Sequence, residues 1–291
     1  ELLSTHQDLA GVWQFQLDPS DVGKKEDWQH RELSEEIRLP GTVVENGFGN
    51  PISVDTQFRC HIFHEWYESP RYAAYRKPDN ITIPSFLQPP FHYVGAAWYS
   101  RKFSVPSEWE EKHIYLFLER CQFETEVWVD GRYCGKQNSL SVPHVFALGV
   151  LGSGEHRVVL RIDNRCHIDV GVAHAVNDWI QTNWNGAIGR IELLAKDPVR
   201  IDNLQVYPDI HRGSVAFLAT IVNQSNRVLE CRLEVAIGAI SSDYVQTFGG
   251  KQVKVVPGLS VVEFTETLNP KPRTWDEFKP TLYRLTLDLA C

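Results

Sequence analysis

Short runs in which apolar and polar side chains alternate recur along the chain: Val12 to Leu17, Tyr99 to Val105, His113 to Leu118, Glu124 to Val129, Arg157 to Asp163 and Ile188 to Leu194. A period of two puts every second side chain on the same face. Each run therefore predicts a half-buried strand, and the turn residues between runs predict antiparallel neighbours. No segment carries a long helical stripe. The pattern predicts an all-β fold beginning with a jelly roll or related sandwich.

The rhythm restarts after Asp197-Pro198, with Val199 to Pro208 and then Ser214 to Asn223, Glu230 to Ile237, Lys251 to Val256, Ser260 to Thr267 and Leu282 to Leu289. Short strands at this spacing predict an immunoglobulin-like sandwich. It has no Cys…Trp…Cys signature, so rhythm alone carries that expectation. The domains expected are 1–196 and 197–291. Between Asn46 and Gly95 alternation fades, while Phe63, Trp66, Tyr67, Tyr72, Tyr75, Phe86, Phe91 and Tyr93 crowd together. So many aromatic residues predict an ordered loop packed against something, because disordered segments are poor in them.

Composition narrows the partners. A net charge of -8 opposes the attraction that nucleic acids and anionic membranes rely on, so neither is expected and a neutral ligand such as a sugar fits better. No apolar run approaches the roughly 20 residues of a membrane helix. The cysteines at 60, 121, 134, 166, 231 and 291 form no CxxC pair and no zinc spacing, which predicts structural thiols. No basic and apolar leader follows Glu1, so any export signal is expected to be absent or removed.

Several motifs occur in a telling order: Leu9-Ala10-Gly11-Val12-Trp13-Gln14-Phe15, Leu39-Pro40-Gly41-Thr42, Ala97-Trp98-Tyr99-Ser100-Arg101-Lys102-Phe103, Val127-Trp128-Val129-Asp130-Gly131 and the 181–193 stretch containing Trp184-Asn185-Gly186. Together with Trp275 and Pro280-Thr281-Leu282-Tyr283, they resemble the N-terminal sugar-binding domain and following immunoglobulin-like domain of glycoside hydrolase family 2, the group of β-galactosidase, β-glucuronidase and β-mannosidase. The resemblance implies a galactose-binding-like jelly roll in an enzyme that hydrolyses O-glycosyl bonds. It places the two catalytic glutamates, about 5–5.5 Å apart in retaining enzymes, in a (β/α)8 barrel beyond these domains. No catalytic residue is then expected in this chain, and the barrel is its expected partner along with carbohydrate. A homo-oligomer stays open. The periplasm or the cell exterior is slightly favoured as the location.

In β-galactosidases of the family the first domain lends an asparagine and an aspartate to the sugar subsite. Pro78-Asp79-Asn80-Ile81-Thr82-Ile83-Pro84 resembles the asparagine-bearing stretch and points to Asn80, whose amide can both donate and accept. A turn-capping role is the other reading. Asp178 stands near the place of the aspartate, with loop capping or an ion pair as its alternative. Trp184 lies in a glycine-flanked loop where its ring can stack on a pyranose or pack inward, and Asn183 beside it joins the candidate substrate contacts. Trp128, on a strand ahead of Asp130-Gly131, is expected to pack in a core. No cofactor is expected, although the complete enzyme has room for a sodium, magnesium or calcium ion.

Three other readings compete. Cys60-His61-Ile62-Phe63-His64-Glu65 sets two histidines three apart, able to reach one metal ion from a turn, but lacks the H-E-x-x-H helix, and Phe63 and Trp66 break any polar face. A Ser-His-Asp hydrolase would need a G-x-S-x-G elbow, which is absent. A free-standing carbohydrate-binding module also uses a jelly roll, although such modules are often single sandwiches.

Overall fold

The computed structural model describes residues 5–56, 64–82, 90–139, 141–165, 167, 184–240 and 244–291, and these form two compact units, Thr5–Ala195 and Lys196–Cys291. Both are β-sandwiches built from antiparallel sheets.

In the first unit, one sheet runs Thr5–Asp8, Gly186–Lys196, His113–Gln122, His144–Gly149, with Gly41–Thr42 also paired to Gly186–Lys196. The other runs Arg132–Gln137, Glu124–Val129, Gly154–Asp163, Ala96–Val105, Gly11–Asp18, Glu35–Leu39. Alternate residues of facing strands fill the space between the sheets, among them Trp13, Phe15, Tyr99, Leu116, Leu160 and Leu193. The residues between them on the six-stranded sheet were expected to face water. Around Trp98, Trp128 and Val159 they do not, because the segment after Asp18 folds back and brings Trp28 and Leu33 onto them, whereas Val12 stays exposed. Trp128 is thus a packed residue, stacked on Trp98 with ring centres 5.2 Å apart.

The hairpin joining Glu124–Val129 to Arg132–Gln137 turns at Asp130 and Gly131, with φ of 50° and 80°. A two-residue turn with both φ values positive matches the twist of its strands, and Asp-Gly tolerates it. The Asp130 carboxylate accepts from Arg157 N at 2.8 Å and meets His156 Nδ1 at 2.6 Å, while His156 Nε2 lies 2.7 Å from Gly152 O. Burial lowers the His156 pKa, but the Asp130 and Gly152 hydrogen bonds outweigh it and leave the imidazole more basic than usual. This pair stabilises fully below the unfolded-state value of about 6.5, and the contribution disappears as pH rises through the higher folded value. Urea titrations should therefore show the stability gap between the protein and Asp130→Asn shrinking from pH 6 to 9. A gap independent of pH contradicts the pairing.

The second unit packs a sheet of Val199–Asp209, Ser214–Asn223 and Gly258–Thr267 against one of Val245–Val255, Leu229–Ala239 and Tyr283–Ala290. Phe217, Ile221, Leu233, Val235 and Val255 form its core. The expectation of thiols throughout is corrected here, because Cys231 and Cys291 form a disulfide. Residues 60 apart in sequence meet because Arg232 pairs with Ala290 one step away, a neighbourhood that cysteine spacing does not reveal. Cys121 and Cys134 are free, and Cys60 and Cys166 lie outside the described residues.

Candidate functional site

Three of the sequence motifs converge at one corner of the first sandwich. Gly41–Thr42 pairs with Gly186 and Ala187, so the Leu39-Pro40-Gly41-Thr42 turn lies against the Trp184-Asn185-Gly186 stretch. Gly186 has φ of +102°, and a Cβ there would sit 2.8 Å from Gly41 O and 3.5 Å from the Tyr99 hydroxyl. Only glycine fits both the backbone angle and the space.

Two buried asparagines tie this corner together. Asn185 Oδ1 accepts from Val43 N at 3.0 Å, and its Nδ2 donates to Tyr93 O at 3.3 Å. Asn164 Oδ1 accepts from Gly95 N at 2.9 Å, and its Nδ2 donates to the same Tyr93 carbonyl at 2.9 Å. The Tyr93 hydroxyl donates to Ala96 O and accepts from Asp18 N, and burial raises its pKa. Trp184 N donates to Gln122 Oε1 at 3.1 Å, which leaves the half-buried indole of Trp184 at the edge of the corner.

Beside it stands a buried charge network. Arg161 reaches Asp21 at 2.6 Å, Asp163 at 2.8 Å, Glu126 at 3.3 Å and Glu124 at 3.8 Å. Arg165 binds Asp21 at 2.5 Å and also bonds Asp163, while His167 Nε2 lies 3.2 Å from Asp163. Burial raises the Asp163 carboxyl, but the Arg165 hydrogen bonds and the Arg161 charge outweigh it and lower the pKa to about 2. Asp178 and Asn183 fall between His167 and Trp184 in the sequence. Both of those candidates lie outside the described residues.

Asn80 occupies a separate small unit. There the helix His64–Glu68 and the 3-10 turn Pro70–Tyr75 precede a hairpin of Arg76–Lys77 with Asn80–Ile81. Trp66 is buried and donates from Nε1 to Thr82 O, and Arg76 Nη1 donates to Ser69 O at 3.0 Å. Asn80 Nδ2 donates to Ala74 O at 3.0 Å, and its Oδ1 accepts from the Thr82 hydroxyl at 3.1 Å. One amide hydrogen and one carbonyl lone pair remain on this exposed side chain. Asn80 and Trp184 are held by separate sets of contacts, with no hydrogen bond between them.

Residues 60–63 of the Cys-His run also lie outside the described residues, and among those described no group of three or more His, Cys, Asp or Glu is arranged to hold a metal ion. Asn164 and Asn185 were not among the expected site residues. Asn185 carried a usable signal, an Asn-Gly leading into a strand, but its partners lie far away in sequence.

The described residues thus define a protein of two antiparallel β-sandwiches in succession. The family model described as glycosyl hydrolases family 2, sugar binding domain, matches residues 6–172, and that described as glycosyl hydrolases family 2 matches residues 199–290. The chain belongs to glycoside hydrolase family 2. It is 21% identical over 300 residues to the β-galactosidase large subunit of Lactobacillus acidophilus, covering 98% of this chain and 44% of that protein. With β-galactosidase 2 of Enterobacter cloacae it shares 22% identity over 305 residues, covering 98% of this chain and 26% of that one. Among solved structures, a calcium-binding mutant of Bacteroides uniformis β-glucuronidase 2 superimposes with a TM-score of 0.69 at 16% identity, over 99% of this chain and 30% of that chain. Ruminococcus gnavus β-glucuronidase does so with 0.63 at 15% identity, over 98% and 41%. The chain thus spans less than half the length of these relatives.

Proposed function

We propose that this chain is the non-catalytic N-terminal portion of a β-galactosidase-like family 2 enzyme, where it braces the catalytic barrel and lends side chains to the sugar subsite. The observation that carries this reading is the coverage. Two family domains in the family's order take up nearly the whole chain, while the β-galactosidases it matches run on to more than twice its length. Asn80, Asp178, Asn183 and Trp184 are the proposed sugar contacts. For Asn80, the unused amide hydrogen and lone pair support the role, because a pyranose offers neighbouring hydroxyls that take one of each. The Cys231–Cys291 disulfide supports an oxidising compartment, in keeping with the periplasm or the cell exterior.

The test is Asn80→Ala in the complete enzyme. Losing a sugar hydrogen bond should lower kcat/KM about tenfold, which is near 1.4 kcal/mol. The melting temperature should change little, because Asn80 is exposed. Unchanged kinetics would remove Asn80 from the subsite.

A further inference from the structure

We propose that a polar cleft on the outer face of the six-stranded sheet is a second carbohydrate site, which holds one sugar ring apart from the corner described above. The cleft opens where two strands part. Gly11–Asp18 pairs with Ala96–Val105 from Asp18 opposite Ala96 to Gln14 opposite Ser100, and the ladder stops there. Past that point Arg101 Nη1 donates to Val12 O at 3.4 Å, across the gap. The cavity measures about 490 Å³, within the roughly 300–1,000 Å³ of small-molecule sites. It shares no residue with the corner. Ser100 stands four residues along its strand from Ala96, whose carbonyl accepts from Tyr93, a separation of roughly 14 Å at the rise of a strand.

Register sets out the floor. Ser100, Gln14 and Glu36 lie opposite one another on three neighbouring strands, so a hydroxyl, an amide and a carboxylate form one row on this face. Two residues further along, Arg157 and Lys102 face each other in a second row. Val12, two residues before Gln14 and so on the same face, is 52% exposed. Glu32 reaches over from the covering segment and accepts from Gln14 Nε2.

Two side chains here lack partners. Ser100 is only 2% exposed and lines the cleft, yet among the described residues nothing bonds its hydroxyl. A buried hydroxyl left unpaired costs about 1–3 kcal/mol, which a ligand hydroxyl can relieve. The Glu36 carboxylate likewise has no hydrogen bond or ion pair among the described residues.

Charge selects the ligand class. The cations Arg101, Lys102 and Arg157 are matched by Glu32, Glu36 and Glu155, so the cleft is neutral as a whole. An anion would meet the carboxylates, and a metal ion would meet the three cations. Neighbouring sugar hydroxyls donate and accept at once, so one ring can give hydrogens to Glu36 and Ser100 and take them from Lys102 and Arg157. Lys102 Nζ uses one hydrogen on Glu155 at 2.9 Å and Arg157 Nη2 one on the Gln29 carbonyl, which leaves donors on both. Val12 offers an apolar contact for the C–H face of the ring. These residues are a different set from Asn80, Asp178, Asn183 and Trp184, so the two sites are tested separately.

The test is a titration of residues 1–291 with the methyl β-glycosides of galactose, glucose, mannose and glucuronic acid, read by amide chemical shifts. With at least one of them, saturating shifts should centre on residues 12–14, 36 and 100–102. Shifts at 80–82 or 184–187 would report the other proposed contacts instead. Glu36→Gln, on an exposed side chain, should keep the melting temperature and weaken this binding about tenfold, as loss of a charged hydrogen bond does. Ser100→Ala should weaken it about fivefold. No shift at these residues up to about 100 mM of any of the four sugars overturns the proposal. So does unchanged affinity in both variants. The same shifts produced by glycine or inorganic phosphate at lower concentration than by any sugar would make the cleft an ion site and overturn it too.

Discussion

Replacing Arg161 by methionine is expected to cost the first domain about 3–5 kcal/mol, because removing one partner of a buried ionic network leaves its counter-charges uncompensated. Arg161 is 3% exposed and stands among Asp21, Glu124, Glu126 and Asp163. Lys24 and Lys136 still hold Glu126 and Glu124, and Arg165 still holds Asp21 and Asp163, so the domain should fold, but weakly. The loss should depend on pH. The Arg165 hydrogen bonds and the Arg161 charge hold the Asp163 carboxyl at about 2 when folded, below the ordinary aspartate value of 3.8, so its contribution is present above 3.8 and is lost as pH falls through 2. Urea denaturation should show the gap between the protein and the variant narrowing from pH 5 towards pH 2. A loss under about 1 kcal/mol, or a gap that ignores pH, contradicts the network's role.

Trp98→Ala should cost a similar amount, about 3–5 kcal/mol, as emptied tryptophan sites commonly do. Trp98 is fully buried between Trp28 and Trp128, with ring centres 6.0 and 5.2 Å away. Its Nε1 donates to Asp18 Oδ2 at 3.0 Å, and the same carboxylate accepts from Val22 N and Gly23 N. Truncation therefore leaves a cavity and also loosens the turn that carries Trp28 across the sheet. Hydrogen exchange should show residues 22–30 losing protection before the rest of the domain. Trp98→Phe keeps most of the packing and should lose only about 1 kcal/mol for the hydrogen bond. Wild-type stability in Trp98→Ala would mean that the outer layer contributes little.

Where one face of a strand is apolar and the other wet, alternation is enough to read it, and both sandwiches were legible for that reason. His113–Gln122 buries alternate residues over the expected run from His113 to Leu118, and Ser214–Asn223 occurs as expected. Thr5–Asp8, Glu35–Leu39, Arg132–Gln137 and His144–Gly149 were not legible. Glu35–Leu39 turns only Ile37 and Leu39 inward, Arg132–Gln137 is an edge strand with no buried residue, and His144 is a buried polar group held by Thr125 and Ser139. The outer layer was hidden as well. Glu126 and Arg161 are buried polar residues on strands whose alternation predicted only one buried face.

The candidate site was legible only in part, for a related reason. Gly186 announces a special backbone, and its positive φ against Gly41 explains it. Asn185 and Asn164 look like ordinary turn residues, because the groups they bond, Val43, Tyr93 and Gly95, come from connecting segments far away in sequence. Tertiary contacts decide such positions, and local pattern cannot supply them.

The central claim, that the chemistry lies outside these two sandwiches, is tested most directly by assaying residues 1–291 alone for hydrolysis of an aryl β-galactoside, next to the complete enzyme. The account predicts turnover by the complete enzyme and none above the buffer rate from the two sandwiches. Sustained cleavage by residues 1–291, abolished by a single substitution within them, would contradict it.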